Sequence, residues 1–421
     1  MIKKIVIVIV IFASFGLKAQ SGSSSPYSYF GLGEILASGT VDNQMMGGIS
    51  MHGDSIHINL KNPAAYSKLR LTTYAAGISH KRLGYKSADA TENSTLTNLD
   101  YISIGVPLNN RMGMGFGIMP FSSVGYNIES TIINSDETEL RNDYSGDGGL
   151  NRVYLSLGYQ IVKNLSVGAT LNYNFGTISS RREQSSTDVQ YATLDRRESK
   201  LSGYDFNYSL NYTPKLNDKY RLYSSLVFDT QININAKNSQ SLGSLSRLNG
   251  QEVEVFDVDL QAQGLRRTDV RVPTRTTLGL GIGEDLSWFV GAEYSSQSLT
   301  DYKNDFFNTP NLQYGEAATF AVGGYFIPEY TSFTNYFKRM VYRAGFRYAD
   351  TGMIINNETI NDFGITFGTE LPLKGGYSNL NLGFEFGKRG TIDSGLIQEN
   401  YFKFNIGLSL NDKWFNKRTI N

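Results

Sequence analysis

The chain has 421 residues, 39 basic and 39 acidic side chains and no cysteine, so it offers no net charge to nucleic acid and builds neither disulfides nor thiolate metal sites. Gly (43), Tyr (27) and Phe (24) are abundant, yet beyond the N-terminus no apolar run approaches the ~20 residues of a membrane-spanning helix. A helical membrane protein is excluded, and no cofactor is implied.

The N-terminus has the three parts of a secretory signal: Lys3 and Lys4, an apolar run from Ile5 to Phe15, and a polar exit ending at Ala19. Residues 1–19 are read as a signal peptide and set aside. Residues 20–68 do not alternate cleanly. They contain Ser25-Pro26-Tyr27-Ser28-Tyr29-Phe30-Gly31-Leu32-Gly33, then Met45-Met46-Gly47-Gly48, and finally Asn62-Pro63-Ala64. A glycine-punctuated segment of this size is too large for a turn, and it is expected to fold into the lumen of a barrel as a plug.

From residue 69 onward the dominant signal is a period of two, which puts successive side chains on opposite faces of a strand. Leu165, Val167, Ala169, Leu171, Tyr173 and Phe175 share one face; Ser166, Gly168, Thr170, Asn172 and Asn174 share the other. The pattern returns as Tyr204, Phe206, Tyr208 and Leu210, as Leu380, Leu382, Phe384 and Phe386, and as Phe402, Phe404, Ile406, Leu408 and Leu410. Each run has the ~10-residue length of a tilted transmembrane strand.

The chain thus divides into about fourteen expected strands: 69–81, 97–108, 111–123, 150–162, 164–180, 198–213, 219–236, 272–283, 286–298, 314–326, 339–350, 360–371, 377–388 and 400–411. Compact turns such as 108–111, 162–164 and 283–285 alternate with long polar segments near 82–96, 124–149, 181–197, 237–271 and 299–313. Short periplasmic turns and long external loops are the asymmetry of outer-membrane barrels. Only the turn at 328–338 is longer than its position predicts. A soluble β-sandwich also alternates, but its strands run ~5–6 residues and its outward face is charged.

The expected architecture is therefore all-β: a transmembrane antiparallel barrel over 69–411, with a plug at 20–68 and a periplasmic tail at 412–421. Its expected place is the outer membrane of a Gram-negative bacterium. Tyr159, Tyr173, Tyr212, Tyr294 and Tyr348, at strand ends, are assigned to interfacial girdles.

The exported N-terminus, the segment ending in Asn62-Pro63-Ala64 and the fourteen-strand barrel together resemble the FadL/TodX family of outer-membrane transporters for long-chain fatty acids and other hydrophobic compounds. The Ser25-Pro26-Tyr27-Ser28 and Phe30-Gly31-Leu32-Gly33 runs look like a divergent branch, and the chain ends in Asn421 rather than a terminal aromatic. The resemblance implies a substrate that binds outside, enters a lumen pocket and leaves sideways into the bilayer beside a kinked third strand. Pro120, in the third expected strand, is the counterpart of such a kink, because proline cannot donate to a ladder; it equally marks the place where that strand leaves the membrane.

Several candidates for chemistry weigh little. His52, His57 and His80 have no zinc-site spacing. Gly279, Gly281 and Gly283 keep strand period with no following helix, so they fit close packing rather than nucleotide binding. Asp143 and Asp147 read as a solvated turn sooner than a Ca²⁺ site. No nucleophile elbow is present, and the chain is read as a non-enzyme.

Inward charges are more informative: Arg343, Arg347, Glu293, Glu370, Glu385 and Lys403 fall on polar faces. Arg343 and Arg347 share one side of one strand and suit a carboxylate headgroup; pairing with other lumen charges is the blander and favoured alternative. The leading function is passive uptake of small hydrophobic molecules such as long-chain fatty acids. The alternative is an accessory barrel of a secretion or envelope-assembly machine, docking other outer-membrane or periplasmic proteins. Expected partners are outer-membrane lipid, lipopolysaccharide and the hydrophobic substrate, with no nucleic acid.

Overall fold

The computed structural model describes residues 22–36, 38–133, 138–307, 309, 311–373 and 377–413. The expected signal peptide and nearly all of the C-terminal tail, including Trp414 and Phe415, lie outside the described residues.

Alternation becomes strand throughout. A short strand, β1 (Glu34–Ile35), precedes β2 (Thr72–Lys86), β3 (Thr91–Asn109), β4 (Met112–Ile133), β5 (Glu139–Val162), β6 (Leu165–Ser186) and β7 (Tyr191–Tyr212). The chain continues as β8 (Tyr220–Asp229), β9 (Ile232–Ser246), β10 (Glu252–Asp257), β11 (Arg267–Val272), β12 (Arg275–Glu284) and β13 (Trp288–Ser298). It closes with β14 (Leu312–Tyr314), β15 (Glu316–Phe326), β16 (Val341–Ile355), β17 (Glu358–Pro372), β18 (Asn379–Arg389) and β19 (Gln398–Asp412).

Every neighbouring pair is antiparallel, and β19 pairs with β2 from Gln398↔Lys86 to Asp412↔Thr72, so the sheet closes on itself. Three wall strands are interrupted. β7 pairs with both β8 and β9, β8 and β9 pair with β12 and β11, and β14 leads into β15 across Gly315. Counting each interrupted pair once gives a closed barrel of 14 strands, and each expected strand has its counterpart. Closure lets neighbouring strands satisfy one another's backbone groups inside lipid, where water cannot.

The two faces of the wall invert the usual order of a protein in water. Leu155, Leu157, Phe206, Tyr208, Phe384 and Phe386 are exposed, whereas Ser166, Asn172, Asn207, Ser209, Asn405 and Ser409 are buried. Apolar side chains therefore face outward and amides and hydroxyls line the lumen, the arrangement a bilayer selects.

The ends of the barrel differ from expectation on one side. The segments 124–149 and 181–197, expected as loops, are largely ladder: β4 pairs with β5 out to Ile133↔Glu139, and β6 with β7 out to Gln184↔Thr193. The segments 82–96 and 237–271 are likewise mostly strand. Above the membrane both faces meet water, so apolar alternation disappears while backbone pairing continues. The long turn after Phe326 is real and ends in a 3-10 turn at Tyr336–Arg339.

Candidate functional site

Residues 22–71 touch wall strands on opposite arcs of the ring. Val41 N donates to Tyr101 Oη of β3 at 3.2 Å, Gly47 N donates to Thr366 Oγ1 of β17 at 3.1 Å, and Ala64 N donates to Ser209 Oγ of β7 at 2.7 Å. Small residues make these approaches possible. A Cβ on Gly345 of β16 would lie 2.1 Å from Gly47 N, and one on Gly33, whose φ is +86°, would lie 2.4 Å from Ser123 O.

The triplet Asn62-Pro63-Ala64 sits in this contact. Asn62 immediately precedes a 3-10 turn over Pro63–Lys68, and its Nδ2 donates to Asn211 Oδ1 at 2.9 Å. Gly168 of β6 lies against Pro63 and Ala64 so closely that a Cβ there would meet Ala64 N at 2.3 Å.

Pro120 marks a break in the wall. The β3–β4 ladder runs from Asn109↔Met112 to Ile102↔Ile118 and stops. β4 continues along β5, slipping register between Pro120 and Ser122. A proline has no N–H for a ladder, and above it β4 takes its other partner from residues 22–36. Glu34 and Ile35 pair with Ser123 and Ser122, Leu36 N donates to Phe121 O at 3.0 Å, and Gly125 N donates to Ser28 Oγ at 3.1 Å. Asn98 Nδ2 of β3 donates to Gly22 O at 2.8 Å on the far side of the break. The N-terminal stretch thus stands where the β3–β4 ladder would otherwise continue.

Charges fix this stretch to the wall. Glu34 lies 2.8 Å from Arg389 and 3.5 Å from Lys81, Arg389 lies 3.0 Å from Asp362, and Tyr401 Oη donates to Asp362 at 2.8 Å. Burial would raise the Glu34 carboxyl, but Lys81 and Arg389 hold it far below the usual carboxylate range. Ser25 donates to the fully buried Glu399.

A second clamp holds His57. Its Nδ1 lies 2.6 Å from Asp54 and its Nε2 3.3 Å from Glu370 of β17. Burial would lower the imidazole, but Asp54 and Glu370 raise it well above its ordinary value. His52, packed among Tyr223, Phe289 and Tyr325, is lowered by burial to about 4. The surroundings thus move the two imidazoles in opposite directions.

Arg343 and Arg347 both carry carboxylate partners. Arg343 bonds Glu370; Arg347 lies 3.0 Å from Glu385 and 3.6 Å from Asp362. Arg347 lines a lumen cavity of about 370 Å³, bounded also by Leu36, Met119, Phe121 and Ile232. Lys61 and Arg275 enter the same cavity, and among the described residues neither has a carboxylate within ion-pairing distance. A smaller cavity of about 140 Å³ reaches Pro120, Asn98 and Asp100 beside the break. Sequence reasoning missed Lys61, which lies in the segment before the barrel, and Arg275, which opens β12 ahead of the alternating run from Leu278 to Gly283.

Asp143 pairs with Arg141. Among the described residues no group of three or more His, Asp or Glu is placed to hold a metal.

The BamG family model matches residues 1–421. The fold is also that of solved toluene transporters and of a FadL homologue. It matches the Ralstonia pickettii toluene transporter TbuX at 13% identity over 89% of this chain and 99% of that one, with a TM-score of 0.58. It matches the Pseudomonas putida toluene transporter TodX at 16% identity over 90% and 99%, with a TM-score of 0.57. A Pseudomonas aeruginosa FadL homologue matches at 12% identity over 89% and 98%, with a TM-score of 0.57. No curated protein sequence matches.

Proposed function

We propose that this chain, which belongs to the BamG family, is an outer-membrane barrel that passes small hydrophobic molecules such as long-chain fatty acids from outside into its lumen and releases them sideways beside β4. Residues 20–68 act as the plug. The observation that carries the reading is the end of the β3–β4 ladder at Ile102↔Ile118, directly before Pro120, with a cavity reaching the same place. A wall closed by hydrogen bonds offers no side exit, whereas a break filled only by the N-terminal stretch does. Withdrawal of Glu34–Leu36 from β4 opens that exit. The reading is tested by uptake of a radiolabelled long-chain fatty acid into cells with and without the chain; equal uptake contradicts it.

The match to the BamG model favours a second reading, an accessory barrel subunit of an outer-membrane protein assembly complex. Purification in mild detergent separates the two. Co-eluting apolar ligand supports transport, and stoichiometric co-purifying membrane proteins support the subunit role.

A further inference from the structure

On the outer surface of the wall, three cations stand side by side across three strands. Lys200 of β7 is the direct cross-strand partner of Lys237 of β9, and Lys237 is the direct partner of Arg267 of β11. All three are exposed, and they alternate with the buried Leu201, Ala236 and Val270 of the inner face. Directly opposed side chains have Cβ atoms ~5 Å apart, and like charges so placed repel. A folded sheet keeps such a row most readily where an anion lies over it.

The height of the row says which anion. Below it on β7 the outward column is Tyr212, Leu210, Tyr208, Phe206 and Tyr204, all exposed. Tyr204 meets Tyr173 on one side, with ring centroids 4.8 Å apart. Lys200 is one further turn of the pleat beyond Ser202, so it stands ~13 Å along the strand from Tyr204 at ~3.3 Å per residue. With the usual ~40° tilt, that is roughly 10 Å above the last aromatic ring, the level of lipid headgroups over the apolar band.

Neighbouring charges leave the row positive. Arg271 lies on the same face of β11, two pleats below Arg267. Glu198 lies 3.5 Å from Lys200, and Asp269 shares the face, while Lys303 is held by Asp305 at 3.0 Å. Among the described residues, Lys237, Arg267 and Arg271 have no carboxylate within ion-pairing distance.

We infer that Lys200, Lys237 and Arg267 form a binding site for the phosphate headgroup of an outer-leaflet glycolipid, whose acyl chains lie along Tyr204, Phe206 and Tyr208. A guanidinium grips phosphate oxygens in pairs and the ammonium groups add point charge, so the bound phosphate replaces repulsion with attraction. The inference rests on the barrel standing in an outer membrane and is independent of what passes through the lumen.

The test is native mass spectrometry of the full chain in detergent. Bisphosphorylated lipid A, the same lipid without phosphates, and inorganic phosphate are added to the wild type and to the triple variant K200Q/K237Q/R267Q. Heat-modifiable gel migration confirms that both fold, and K163Q in a short turn serves as a charge control. The expected result is retention of bisphosphorylated lipid A by the wild type and by K163Q, at least a tenfold loss in the triple variant, and no displacement by millimolar inorganic phosphate. In lipid-free detergent K237Q is expected to melt at a higher temperature than the wild type, and in lipid A at a lower one. Equal retention by the triple variant, or equal binding of the dephosphorylated lipid, overturns the site. Displacement by inorganic phosphate makes it a free-anion site and overturns the lipid assignment. Fatty-acid uptake is measured on the same variant, so a failed transport reading is told apart from a failed lipid site.

Discussion

Glu34 and Arg389, separated by 355 positions in the chain, meet at 2.8 Å on the inner side of the wall. One belongs to the short stretch that pairs with β4 and the other to the end of β18, so the contact ties the filler of the wall's break to the opposite side of the β2–β19 seam.

Removing either partner leaves the other buried with one counter-charge fewer, Glu34 with Lys81 and Arg389 with Asp362, so the loss is expected to fall below the ~3–5 kcal/mol of a wholly unpaired buried charge. Arg389→Met is expected to expose residues 22–36 to protease and to lower thermal stability, and Glu34→Gln to do so less because it keeps the shape. The double variant E34Q/R389M is expected to recover part of the loss. Protease resistance equal to wild type in Arg389→Met contradicts the tie.

Pro120→Val restores a ladder donor at the break. If lateral release runs beside β4, uptake of a hydrophobic substrate falls several-fold while folding is unchanged. Unchanged uptake removes the exit from this place.

Arg347 lines the cavity although it is paired with Glu385 and Asp362. As a headgroup contact, its replacement by Gln weakens fatty-acid binding several-fold, measured by calorimetry on the detergent-solubilised protein; Arg343→Gln, whose side chain bonds Glu370, is tested beside it. Unchanged affinity in both returns the arginines to a purely structural role.

The His57 clamp predicts a pH dependence. The folded protein holds the His57 proton more tightly than the unfolded chain, whose imidazole titrates near 6.5. The stabilisation is therefore full below about 6.5 and is lost as pH rises through the higher folded value. Melting temperature is expected to fall from neutral into alkaline pH in the wild type, and the slope to flatten in His57→Gln. Parallel curves contradict the clamp.

The wall was legible in the sequence because lipid demands apolar residues at every second position, and that demand is written into runs such as Leu380 to Phe386 and Phe402 to Leu410. The upper ladder was not legible. Residues such as Arg181 and Glu183 on β6 meet water on the outside and polar groups within, so nothing distinguishes them from a loop except backbone pairing. Pro120 could be singled out because its missing N–H is a local property. The partner that β4 takes instead, Glu34–Ile35, could not be, because a two-residue strand carries no period. Contacts such as Glu34 with Arg389 or Asn62 with Asn211 join positions with no local relation, and they become visible only when the barrel closes.

A side exit at this break requires the N-terminal stretch to leave β4 before a substrate can pass. The chain has no cysteine, and Ile35 and Ser122 are direct register partners, so the pair I35C/S122C is suited to a disulfide that locks them together. Fatty-acid uptake by the oxidised pair is expected to fall to the level of cells lacking the chain and to return on reduction with dithiothreitol. Full uptake with the crosslink formed would contradict a side exit at this break.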